Sequence, residues 1–151
     1  MNQRRRYHIV YGMKVVLDTD VVIAGLRSPT GASAELLRMA RSGTIRPVVC
    51  VPLVLEYEAV ATRPEHLAAS GLSVDEVQVV LDVLIGASEW TRVYYLYRPV
   101  TRDPADEMVI EAALNSGAEA IITFNRRDFG DAPGIYGLKC WLPREALENL
   151  R

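Results

Sequence analysis

Several acidic residues of this chain fall just past short apolar runs. Asp18 closes the run K-V-V-L-D at 14–18, and Glu56 sits inside the otherwise apolar V-P-L-V-L-E-Y at 51–57. Asp106 follows Asp103 and Pro104 in R-D-P-A-D-E at 102–107, and Asn125 and Asp128 follow the run at 121–124. Carboxylates gathered at one place repel one another, which raises their pKa values unless a cation is present. A hard divalent cation with oxygen ligands relieves that cost, so the residue types point to Mg²⁺ or Mn²⁺. Zinc is a poor fit: His8 and His66 lack metal-ligand spacing, and Cys50 and Cys140 are too few for a zinc ribbon. Lysine-centred catalysis is also disfavoured. Lys14 and Lys139 are the two lysines, and the other bases are arginines, which grip phosphate well but serve poorly as acid–base groups.

Elements with defined ends must carry these side chains. The run at 14–18 predicts a buried strand. A helix is expected over 21–26, a loop around Ser28, Pro29 and Gly31, and a second helix over 32–41 stopped by Gly43. A second strand is expected at 48–51, with Pro52 in the first turn of a helix to about Thr62. Ser73 and Glu76 form a capping box that opens a helix to Leu84. Residues 90–97 are rich in aromatic and β-branched types and predict a strand. Asp103 and Pro104 start a helix to Asn115 as N-cap and first-turn residue. Strands at 120–124 and 138–142 follow, and Pro143 opens a last short helix. Alternating strands and helices predict an α/β fold, three layers deep, with a mainly parallel central sheet. Ligand sites in such folds lie outside the carboxyl ends of the strands, where the acids fall. The helix at Asp103 also aims its N-terminal amides at that rim, favouring an anion there.

With 151 residues the chain is sized for one domain, predicted over 13–151, preceded by a basic extension at 1–12. Half the residues are apolar and 24% are charged, a globular composition. The longest nearly apolar run, 48–55, is far below the roughly 18 residues needed to span a bilayer. Arg4, Arg5 and Arg6 lead into Tyr7 and His8 rather than into an apolar signal core. The expected location is the cytoplasm, with both cysteines as small core residues. The net charge of −2 argues against a protein that coats nucleic acid by bulk attraction. With Asp18, Glu56, Asp106 and Asp128 assigned to one metal cluster, the rest of the chain carries +2.

Four segments together resemble the PIN-domain family, and within it the toxins of bacterial toxin–antitoxin systems. They are V-V-L-D-T-D-V-V-I at 15–23, P-L-V-L-E-Y-E-A-V at 52–60, R-D-P-A-D-E-M-V-I-E-A-A-L at 102–114 and A-I-I-T-F-N-R-R-D-F at 120–129. The resemblance implies a metal-dependent ribonuclease, a homodimer, and a protein antitoxin that blocks the site. It places the family's first three acids on Asp18, Glu56 and Asp106, with Asp128 or Asn125 completing a site for one or two Mg²⁺ or Mn²⁺ ions. A departure is Asp20, where the family often has Asn. Thr19 and Thr123 stand beside the acids and are read as orienting water. Asp20, Asp103 and Glu107 are read as caps or supporting groups, and Arg102, Arg126 and Arg127 as phosphate clamps.

Two other readings compete. D-T-D-V-V after a strand also suits a haloacid-dehalogenase-type phosphatase with Asp18 as nucleophile, but that reading needs a mid-chain phosphate-holding lysine. The other is a PIN-like module that binds a partner without catalysis.

Overall fold

The structure is a computed structural model that describes residues 12–93 and 104–150. The chain enters strand β1 (Met13–Leu17) and turns into helix α1 (Thr19–Arg27). Helix α2 (Ala32–Ser42) follows, ended by Gly43 at φ 80°, a left-handed conformation that suits glycine. Strand β2 (Ile45–Val49) leads into helix α3 (Val51–Ala61), which has Pro52 in its first turn. Helices α4 (Pro64–Ser70) and α5 (Val74–Gly86) precede a two-residue strand, β3 (Glu89–Trp90). The remaining elements are α6 (Pro104–Ser116), β4 (Ala120–Ile122), α7 (Arg126–Phe129), α8 (Ala132–Ile135), β5 (Lys139–Trp141) and α9 (Pro143–Leu150).

The five strands form one parallel sheet in the order β3-β2-β1-β4-β5. Helices layer against it in the predicted α/β/α manner: α6 lies on β1, β2 and β4, and α2 lies on β2. Parallel strands covered on both faces become continuously apolar. Val15, Val16, Leu17, Ile121 and Ile122 are fully buried accordingly. The chain builds outward from β1 to β2 and β3, then returns to the other side of β1 for β4 and β5. The direction of winding therefore reverses between β1 and β4, the point where open α/β sheets leave a crevice. Leu17 pairs with Ile122, so the residues that follow, Asp18 and Thr123, meet at that crevice.

Three expectations need correction, and three short helices were not expected. The second strand occupies 45–49 rather than 48–51, because Cys50 already caps α3. The strand expected at 90–97 shrinks to Glu89–Trp90: Thr91 to Val93 lie outside any strand, and 94–97 lie outside the described residues. The strand at 120–124 stops at Ile122, since Thr123 and Phe124 bond into the site described below. Helices α4, α7 and α8, of seven, four and four residues, are too short for an apolar period to announce them. No helix among the described residues is long and apolar enough to cross a membrane.

Candidate functional site

Asp18 is the hinge between β1 and α1. Its backbone is extended (φ −64°, ψ 153°) and its amide donates to the carbonyl of Ile122 at 2.9 Å, in continuation of the sheet. Its carboxylate is 8% exposed and held at both oxygens. Oδ1 accepts from the Thr19 amide at 2.8 Å, and Oδ2 accepts from the Thr123 hydroxyl at 2.7 Å. Burial pushes the Asp18 pKa up, the bonds from Thr123 and Thr19 oppose that, and the charges of Asp128 and Glu56 push it up further.

Asp20, two residues on, ties the loop after β4 to α1. Its Oδ2 accepts from the Phe124 amide at 3.2 Å and from the Asn125 side-chain amide at 2.9 Å. The Asn125 backbone amide donates in turn to the Thr123 hydroxyl oxygen at 3.0 Å. The other oxygen of Asp20, Oδ1, is buried and has no hydrogen-bond partner among the described residues. The Asp20 pKa is pushed up to about 7, by burial first and by Asp18 second, with Asp106 adding to the rise. Asp20 thus joins the start of α1 to the loop after β4, beside Asp18.

Glu56 is half-buried on α3 and lines a cleft with Asp20. Its neighbour Tyr57 is fully buried, and the Tyr57 hydroxyl donates to the carbonyl of Leu17, the residue before Asp18. That bond fastens α3 to the end of β1. Sequence reading missed Tyr57, although its polar tip within an apolar helix demanded a partner. Asp106 is half-buried in the first turn of α6. Asp128 is exposed on α7, beside Asn125, Arg126 and Arg127 at a shallow surface hollow.

The charges of Asp128 and Glu56 act on Asp18, and those of Asp18 and Asp106 act on Asp20. Among the described residues, however, no three His, Cys, Asp or Glu side chains are close enough to hold a metal together. The donor set still fits a hard cation. It consists of oxygens, two carboxylates have raised pKa values, and one buried carboxylate oxygen lacks a donor. Arg126 is committed to Glu145 at 2.9 Å, while Arg127 has no ion pair among the described residues. Arg102 and Asp103 lie outside the described residues. Glu107 is buried, and so is Glu111 one turn on. Cys50 is buried and Cys140 half-buried, consistent with packing roles.

Neither lysine supports the phosphatase reading. Lys14 bonds Glu89 at 3.3 Å and the Ser116 carbonyl, near the opposite end of β1 from Asp18, and Lys139 sits over the Trp141 ring. A parallel α/β domain with paired aspartates at its switch point and further acids on the flanking helices defines a class of acid-lined α/β proteins. The PIN domain family model matches residues 14–127, and the chain belongs to that family. No curated protein matches the sequence. Among solved structures, a chain in the crystal structure of VapBC2 from Rickettsia felis, bound to a DNA fragment from its promoter, superposes with a TM-score of 0.56. That chain is 12% identical, and the match covers 85% of this chain and 97% of the other. At that identity the likeness is one of fold.

Proposed function

We propose that this protein is a metal-dependent endoribonuclease and the toxin of a toxin–antitoxin pair. The observation that carries this reading is the buried Asp18 carboxylate at the switch point, held at both oxygens, with the charges of Asp128 and Glu56 acting on it and those of Asp18 and Asp106 acting on Asp20. Family membership supports nuclease chemistry, and the VapBC2 likeness favours an antitoxin partner. Asp18, Glu56 and Asp106 are the proposed ligands of Mg²⁺ or Mn²⁺, with Asp128 completing the site. When bound, such an ion acidifies water and offsets charge developing on phosphate oxygens.

The chain's own groups do the positioning. Thr123 and the Thr19 amide fix the Asp18 carboxylate so that both its oxygens point in set directions. Asp20 and Asn125 hold the turn that presents Asp128. Tyr57 keeps α3, and so Glu56, at the end of β1. Arg127, next to Asp128 and without an ion pair among the described residues, is the proposed grip on a backbone phosphate.

The test is incubation of the purified chain with structured and single-stranded RNAs, in Mn²⁺, in Mg²⁺ and in chelator, beside an Asp18→Asn control. Cleavage that needs the metal and Asp18 is expected. Cleavage that survives both chelator and the substitution contradicts the proposal. Copurification of a tagged chain with the product of a small adjacent open reading frame tests the antitoxin.

A further inference from the structure

A cleft of about 540 Å³ opens beside the acids, between α1, α3 and α4. Its lining includes the acids Asp20 and Glu56 together with Arg27, Arg63 and His66. Arg27 and Arg63 are exposed and make no ion pair among the described residues, unlike Arg38 and Arg126, which are paired to Glu35 and Glu145. The Nδ1 of His66 is buried without a hydrogen-bond partner among the described residues, so the imidazole is not committed to the fold's own network. A cleft lined by both acids and unpaired arginines suits a ligand that offers a metal-seeking phosphate and a second anionic group close by. A polynucleotide strand has that repeat, whereas a single phosphate does not.

Building on the ribonuclease reading, we infer that this cleft seats the nucleotide next to the scissile phosphate of single-stranded RNA. Arg27 and Arg63 grip the neighbouring backbone phosphates, and the His66 ring walls the flanking base or ribose. Arginine forks match phosphate geometry, and rings commonly stack on unpaired bases. The remote cations thereby set the register in which the strand crosses the acidic rim. Their role is binding and positioning rather than chemistry.

The test separates binding from cleavage. Binding of a fluorescein-labelled single-stranded RNA oligonucleotide by the full chain is followed by anisotropy, in chelator, over a range of potassium chloride. Each phosphate contact on a single strand adds about 0.7 to the log–log salt slope, so the double variant Arg27→Gln/Arg63→Gln is expected to lower it by about 1.4. In Mn²⁺ the same variant is expected to raise KM about tenfold and change kcat less than about twofold. The Arg27→Lys/Arg63→Lys variant keeps the charges and is expected to restore the slope, while recovering KM in part. A parent that binds and cleaves RNA, with slope and KM unmoved in the Gln variant, overturns this inference and leaves the ribonuclease reading standing. A parent that neither binds nor cleaves RNA overturns both.

Discussion

At the scale of single residues the site rests on hydrogen bonds to buried carboxylates. The Thr123 hydroxyl bonds an Asp18 oxygen that has little water around it. Thr123→Ala removes that donor and is expected to cost about 1–3 kcal/mol in urea unfolding. Metal affinity, read by titration, is expected to fall about 10–100-fold, and Thr123→Ser to recover both. Asp20 gives a pH signature. Its pKa in the fold, about 7, lies above its unfolded value, so the fold binds the proton more tightly than the unfolded chain does. The stabilisation is full below the unfolded pKa and is lost as pH rises toward and through 7. In chelator, therefore, the parent should lose stability relative to Asp20→Asn between about pH 4 and pH 8 by thermal unfolding. A parallel response in the two proteins contradicts the assignment. Residue types alone picked out Asp18, Glu56, Asp106 and Asp128. They did not show that Asp20 would be as deeply engaged as Asp18, because its partners Phe124 and Asn125 lie about a hundred positions away.

At the scale of elements, each acid depends on how its helix is fastened. Helix α3 is mostly apolar, and the Tyr57 bond to the Leu17 carbonyl fixes it against the end of β1. Tyr57→Phe leaves a buried carbonyl without that donor. It is expected to destabilise by about 1–3 kcal/mol and to reduce RNA cleavage through the displaced Glu56. Helix α5 provides the contrast. Ser73 and Glu76 cap it reciprocally, and none of its residues reaches the acids' cleft. Ser73→Ala should cost about 1 kcal/mol and leave cleavage unchanged, which separates loss of stability from loss of site. Long elements with caps were legible: the box at Ser73, Pro52 in its first turn and the glycine stop at Gly43 all hold. The boundaries of β2 and β4 were not, because an apolar run reads alike as strand end or helix start. The turn α7, which presents Asp128, is tied at its N-cap Asn125 locally to Thr123 and, 105 positions back, to Asp20, and that distant partner is not legible in the local sequence.

At the scale of the molecule, function follows from the reversal of winding at β1. Any parallel α/β chain that reverses there opens a crevice, and this one fills its rim with carboxylates and part of its flank with arginines. The parallel architecture was readable from the alternation of strands and helices. The order of the strands was not, since nothing local states that β4 returns beside β1. A net charge of −2 is compatible with the proposed RNA-binding role, because four of the 19 acids are assigned to the proposed metal cluster. Binding away from the rim should accordingly be weak and strongly reduced by salt. The rim around Asp18 is proposed to hold a divalent cation. The most direct measurement is calorimetric titration of the purified chain with Mn²⁺, beside Asp18→Asn and an Asp75→Asn control on α5. The expected result is one or two ions per chain for the parent and the control, with binding lost in Asp18→Asn. Equal Mn²⁺ binding by Asp18→Asn and the parent would contradict the claim.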